Sequence, residues 1–416
     1  MRKRTLLWMV LATMLFQFAR VNAQDFDRYF QDKTLRIDYI FSGNRNTQHI
    51  AVEELLVSPK WYGKRQRLAD VPMEGNGQIT MRDHKTHRII YKNSFSTLFQ
   101  EWQEEPEALR LDKAFENVFL VPMPKDTADI TLDLRNNRRQ ISASLTHQVV
   151  PSDILIRHIG ERDVTPYVTL QHAADTTRCI HLAFLSEGYR QGEMDTFIAD
   201  AKVAIEALFA HEPFKSMRDK FNIIAVEAPS KETGTSEPGK GIWKNTALHS
   251  NFDTNYSERY LTTLKLKDMH NLLAGTPYEH ILVLVNSPRY GGGGVLNSYV
   301  LSTTHNKWYK PVVVHEFGHS FAGLADEYAY EEEIVNMYPH DVEPWEKNIT
   351  TKVDFKGKWE DLIGKDKNAG FFEGAGYSPK GVYRGYYDCR MRTNQNPEFC
   401  PVCQKAIKDV IDFYTK

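Results

Sequence analysis

Pro311-Val312-Val313-Val314-His315-Glu316-Phe317-Gly318-His319-Ser320-Phe321 is the stretch on which the reading of this chain turns. On a helix, positions i and i+4 lie on one face. His315 and His319 therefore aim their imidazoles at a single point. Zinc suits such a pair, because it accepts nitrogen ligands in a tetrahedral site. Glu316 follows the first histidine and is placed to act as the catalytic general base on water activated by the ion. Val312, Val313, Val314, Phe317 and Phe321 give the helix the apolar surface that buries it. Gly323 ends the helix by adopting a left-handed conformation. A catalytic zinc keeps three protein ligands and one open position. Asp326 is the expected third metal ligand, with the adjacent Glu327 as the alternative.

Upstream of this helix the chain alternates strands and helices, the pattern of an α/β layer. Residues 180–185 and 221–226 read as strands. Residues 194–209 read as a helix with Phe197, Ile198, Ala201, Ile205 and Leu208 on one face. Residues 256–273 read as a second helix. His280-Ile281-Leu282-Val283-Leu284-Val285 is almost wholly apolar, as expected of a strand buried on both faces. Residues 289–294, which include the glycines from Gly291 on, read as a flexible loop, and residues 298–304 as a shorter strand.

Further towards the N-terminus the signal changes. Residues 35–41 alternate apolar and polar side chains, and Ser42-Gly43-Asn44 then marks a turn. Short strands are expected again at 78–81, 88–91, 118–122, 130–134 and 140–146, which together suggest a β-sandwich. No clustered ligand or nucleophile motif falls there, so this part reads as a binding or spacer module.

Met1-Arg2-Lys3-Arg4, the apolar run from Thr5 to Ala19 and Val21-Asn22-Ala23 make a secretory signal peptide with cleavage before Gln24. Gln17 interrupts the run and Arg20 closes it, which makes it too short for an anchor. The plan is thus α+β: a signal peptide (1–23), a β-sandwich domain (24–160) and a catalytic α/β domain (161–416). The mature protein is expected to be exported: periplasmic, secreted or on the cell surface. With 52 basic and 54 acidic residues among 416, the net charge is -2. No large basic field exists to attract nucleic acid. Four cysteines, Cys179, Cys389, Cys400 and Cys403, suggest disulfides in an oxidising compartment, in any of three full pairings.

The string from His315 to Tyr328, H-E-F-G-H-S-F-A-G-L-A-D-E-Y, resembles the IgA-peptidase family of secreted bacterial zinc metallopeptidases. The order of parts, an export signal, a β-rich region and an α/β catalytic region, agrees with it. More broadly the chain looks metzincin-like, with two departures. Gly323 follows His319 by four residues where the metzincin pattern has three, and Ala325 stands where the third ligand would fall, one place before Asp326.

The resemblance implies a zinc endopeptidase with ligands His315, His319 and Asp326, base Glu316 and protein or peptide substrates, immunoglobulin A being suggested by the family name. It implies a Met-turn at Tyr387–Arg392 with Met391 as an apolar floor. Tyr386 and Tyr387 are candidates to stabilise an oxyanion, or else core aromatics. It also implies an edge strand beside the helix to pair with extended substrate, for which residues 298–304 are the candidate, with the glycine loop framing the cleft. Cys389, Cys400 and Cys403 partly resemble the second zinc site of archaemetzincins, with Cys179 as the conceivable fourth ligand. His249, His305 and His340 read as structural, and Glu331–Glu333 as a solvated acidic face. The competing readings are a zinc amidase acting on cell-wall peptides and a non-catalytic surface binding protein. Glu316 argues against the second, since binding alone needs no base beside a ligand.

Overall fold

The computed structural model describes residues 25–331 and 337–416. The expected signal peptide, and the acidic run beyond Glu331, lie outside the described residues. Among the described residues no helix is long and apolar enough to cross a membrane.

After a short helix α1 (Asp25–Tyr29), the N-terminal part is built from β1 (Phe30–Gly43), β2 (Gln48–Ser58), β3 (Gly77–Asp83), β4 (Ile89–Phe95), helix α2 (Leu98–Trp102), β5 (Lys113–Pro124), β6 (Ala128–Arg135), β7 (Ile141–Val149) and β8 (Arg157–His158). They form two four-stranded sheets, in the orders β5-β1-β2-β8 and β4-β3-β6-β7. Leu35, Ile37, Tyr39 and Phe41 of β1 share one core with Ile79 and Met81 of β3 and Ile130, Leu132 and Leu134 of β6. Each such side chain contributes about 1.5–3 kcal/mol by leaving water. β1 extends well beyond the expected 35–41, and β2 was not anticipated. His49-Ile50-Ala51-Val52-Glu53-Glu54 does not alternate, and a bulge between Asp38 and Tyr39 breaks its register with β1. The other face of β1 is not solvated. Arg36 and Asp38 pair there at 2.7 Å, both almost fully buried, and Arg36 donates to Asn271 Oδ1 of the C-terminal part at 2.8 Å.

The C-terminal part contains β9 (Tyr167–Gln171), β10 (Ile180–Glu187), α3 (Met194–Leu208), β11 (Phe221–Val226), α4 (Leu266–Leu272), β12 (His280–Val285), β13 (Gly292–Val295), β14 (Tyr299–Thr303), α5 (Tyr309–Ala322), β15 (Ile349–Thr350), β16 (Phe372–Ala375), β17 (Ser378–Arg384) and α6 (Pro401–Thr415). A six-stranded mixed sheet runs β13-β14-β12-β10-β11-β9, parallel at its centre and antiparallel at both edges. Alternate side chains divide between two cores, as the period of two in a strand requires. Leu182, Phe184, Leu282 and Leu284 face α3, α5 and α6. Ala183, Leu185, Ile281, Val283 and Val285 face α4 and the segment around Leu248, Phe252 and Leu261. The chain is therefore a mixed α+β protein, β-rich in its first part and carrying a mixed sheet in its second.

Two expectations for this part are corrected. Only Leu266–Leu272 of the stretch 256–273 is an α-helix. Asn255 and Tyr256 have φ of 50° and 60°, and Leu261 donates its N–H to Gly292 O at 3.2 Å. Sheet-type partners thus outweigh a helical pattern already weakened by Ser257, Thr262 and Thr263. The stretch 289–294 is not simply a loop either. Gly292–Val295 is the edge strand, and residues 298–304 supply an inner strand paired on both sides.

Candidate active site and metal centre

Helix α5 lies under this edge strand, and the glycines let it. A Cβ on Gly292 would stand 2.9 Å from both Cγ and Oε1 of Glu316, and one on Gly294 would stand 2.3 Å from Glu316 O. Gly292 and Gly294 make space for the helix, while Gly291 and Gly293 make space for Phe252, Arg259, Tyr260 and Leu261 on the other side. Gly323, at φ 57°, closes α5 by donating to His319 O at 3.0 Å.

The structure brings His315, His319 and Asp326 together. His315 donates Nδ1–H to Arg390 O at 3.0 Å, and His319 donates Nδ1–H to Leu324 O at 2.5 Å. With both Nδ1 atoms so engaged, both Nε2 atoms present lone pairs. These face each other at 3.0 Å. Asp326 Oδ1 stands 3.0 Å from one and 3.4 Å from the other and accepts no hydrogen bond. Two lone pairs and a carboxylate oxygen so placed form a set that can hold a shared cation. Nitrogen and oxygen donors about 2.0–2.1 Å from a tetrahedral zinc would stand about 3.3–3.4 Å apart, close to what is seen. The residues fit the metal.

The electrostatics show a site that draws in positive charge, for which a proton on His319 competes with a cation. Burial pushes His319 down, but Asp326 and Glu316 lift it to about 9. Burial pushes the Asp326 carboxyl up, yet His319 and His315 pull it well below the usual carboxylate range. Burial also raises Glu316, against the pull of the two histidines.

Asp326 is fixed from its other side by a residue the sequence did not signal. Tyr377, left-handed at φ 66° in the turn between β16 and β17, donates its hydroxyl to Asp326 Oδ2. Its ring packs against Tyr328 and Tyr330, whose hydroxyl oxygens each accept from Arg259 Nη2 at 3.0 Å. Nothing in the spacing of these residues points to the site. They converge through the turn and the 259–262 segment.

Glu327 turns the other way. Its Oε1 accepts from Asn348 Nδ2 at 2.9 Å and from Cys403 Sγ at 3.1 Å, and it groups with Cys389, Cys400 and Cys403. It is not placed to be an alternative ligand beside the histidines. The disulfide expectation is not met: all four cysteines are free, and Cys389 and Cys403 Sγ stand 3.7 Å apart, far beyond the ~2.05 Å of a bond. Cys179 lies elsewhere, against His181.

Met391 is fully buried. Its sulfur would be 2.8 Å from a Cβ on Gly318, and its carbonyl accepts the Glu327 N–H at 2.8 Å. Tyr386 and Tyr387 do not line the cleft. Tyr386 donates to Asp366 Oδ2 at 2.6 Å, and Tyr387 is 68% exposed. The cleft's phenols are instead Tyr260, Tyr290, Tyr328, Tyr330, Tyr338 and Tyr377. His305 pairs with Asp200 at 2.8 Å, away from the centre.

The cleft above the histidines measures about 660 Å³. The N-terminal part forms one of its walls through Glu101, Glu104 and Glu105. Tyr260 donates its hydroxyl to Glu101, whose carboxyl burial pushes up to about 7. The outer edge of β13 is already engaged at Gly292, whose N–H donates to Arg259 O at 3.3 Å and whose carbonyl accepts from Leu261 N–H at 3.2 Å, and just past the strand Leu296 O accepts from Ser96 N–H at 3.1 Å. An extended substrate therefore cannot add along the whole of that edge.

A family model described as IgA Peptidase M64 matches residues 168–369 and 364–411, more than half of the chain. Another, described as Peptidase M64 N-terminus, matches residues 25–146. No curated protein matches the chain.

Proposed function

The chain belongs to the IgA peptidase M64 family and is a metallopeptidase, and from that premise we propose that it is an exported zinc endopeptidase whose base is Glu316. The observation that carries the reading is the pair of facing Nε2 lone pairs, with Asp326 Oδ1 on a third side and Glu316 one residue along the helix. Family membership implies cleavage of peptide bonds within proteins. The substrate class proposed is folded or extended protein, with immunoglobulin A as the candidate that the family's description names.

In this reading His315, His319 and Asp326 would hold zinc, which would supply a Lewis acid to acidify water and polarise the scissile carbonyl. Glu316 takes the proton from the attacking water and delivers it to the nitrogen of the departing amine. Its burial raises the carboxyl above the ordinary range, which makes it a stronger acceptor for the water's proton. Tyr377 and the carbonyls of Arg390 and Leu324 hold the three ligands in orientation, the usual task of partners behind a metal site. Met391 is the apolar floor of a Met-turn. The cleft falls within the ~300–1,000 Å³ typical of binding sites, so only a short stretch of a polypeptide occupies it at once.

The wider plan belongs to the same proposal. Residues 24–160 form a β-sandwich, residues 161–416 a metzincin-like catalytic domain, and residues 1–23 an export signal removed on secretion. Glu316→Gln is the direct test. The variant is expected to keep its zinc, measured by elemental mass spectrometry, and to lose about 10²–10⁴-fold in cleavage of a protein panel that includes immunoglobulin A. Cleavage at the wild-type rate would remove Glu316 as the base.

A further inference from the structure

Behind the histidine site stands a second group of ligand atoms with a different character. Glu327, Cys389 and Cys403 are fully buried and Cys400 is 5% exposed. One ligand atom from each lies within 4.8 Å of all the others. The four come from three places: the segment after α5, the turn containing Met391, and the start of α6. We infer that Cys389, Cys400, Cys403 and Glu327 bind a second, structural zinc ion.

Three observations carry this independently of the histidine site. The first is a distance. Sulfurs held about 2.3 Å from a tetrahedral zinc stand about 3.8 Å apart, and Cys389 and Cys403 Sγ are separated by 3.7 Å. The second is an orphan. Glu327 Oε2 is buried with no hydrogen-bond partner. A buried carboxyl oxygen without a partner is costly and demands an explanation, and a divalent cation among the thiols provides one.

The third is the surroundings of the sulfurs. Cys400 N–H donates to Cys389 Sγ at 3.1 Å, a contact that favours a thiolate. Cys400 caps the N-terminus of α6 and Cys403 lies in its first turn, where the exposed N–H groups stabilise negative charge. Asn348 Nδ2 holds Glu327 Oε1 at 2.9 Å, orienting the carboxylate. Three soft thiolates and one carboxylate, closed from solvent with no open position, are the donor set and geometry of a structural rather than a catalytic zinc.

The test is a metal count on the mature chain, purified without chelator. Wild type is expected to hold two zinc ions. The double variant His315→Ala/His319→Ala is expected to hold one, and after exchange with Co2+ to show sulfur-to-cobalt charge-transfer absorption. Adding Cys403→Ser to that background should bring the count to zero. Should that chain fail to fold, Glu327→Gln in the same background should fold and lose its ion to a chelator at least tenfold faster. Four outcomes each overturn the proposal: no metal in the histidine variant, an ion there without the sulfur absorption, a non-reduced peptide map linking any of Cys389, Cys400 and Cys403, or unchanged retention in Glu327→Gln. Failure of the peptidase reading is separate, because it would appear as an inactive wild type with this second ion in place.

Discussion

Asp326 and Glu327 are neighbours in the chain but send their carboxyls to different places. Asp326 joins two histidines at the base of an open cleft, and Glu327 joins three cysteines in a sealed interior. The segment from Gly323 to Tyr328 carries no helix, so consecutive side chains are free to point to opposite sides. The open group has two nitrogens and one oxygen, with room for water and a substrate carbonyl. The closed group has three sulfurs and one oxygen, all buried. Both are tied to one turn: Arg390 O orients His315, and Met391 O holds the Glu327 backbone. On the reading proposed above, chemistry and anchorage are separated here by a single peptide unit, with the turn at Met391 serving both.

The strongest way to break this comparison is to remove the two carboxyls one at a time. Asp326→Ala is expected to cost about 1000-fold or more in kcat/KM, about 4 kcal/mol of transition-state stabilisation, while thermal stability falls little. Glu327→Ala is expected to do the reverse: about 4 kcal/mol of folding stability lost, as for other lost metal sites, with a much smaller fall in the specific activity of the folded fraction. Parallel melting curves and peptide-cleavage assays decide the matter. Equal effects on both readouts in both variants would erase the distinction.

A sharper probe touches the open site alone. Gly292→Ala places a methyl group against the Glu316 side chain. Displacing a catalytic group by about 1 Å costs about 100-fold in rate. That loss is expected in kcat, with the full metal content kept. Unchanged kcat would mean that the strand yields to the added methyl and that the close approach does not position the base.

The smallest effect is expected where the two groups share support. Met391→Leu conserves volume against Gly318 and should cost less than about 1.5 kcal/mol by denaturant titration, with both metal counts unchanged. Loss of either ion would show that the sulfur does more than fill space.

What could be read from the sequence follows from how local each feature is. His315, Glu316 and His319 must sit within two turns of one helix, so their spacing carries the chemistry directly. The strand His280–Val285 announces itself because both of its faces are covered. The glycines of β13 misled for a physical reason: an absent side chain reads as flexibility, whereas here it is the room in which a strand passes between a helix on one side and Tyr260 and Leu261 on the other. Tyr377 acts on Asp326 from 51 positions away, through a turn no motif encodes. Glu327 was placed beside the histidines because sequence shows adjacency and not direction. The cysteines showed their spacing, but not that a carboxylate, rather than Cys179, would complete their number.

The helix carrying His315 and His319 is synthesised well before the residues that steady it. Residues 387–403 contribute the carbonyl that orients His315, the sulfur that rests on Gly318 and the thiols gathered at Glu327. A chain still growing, or cut short ahead of Cys389, has both histidines and the Tyr377 contact to Asp326, but lacks the carbonyl that orients the His315 ring and the thiols gathered at Glu327. The last residues made are thus the ones that complete the support of both groups.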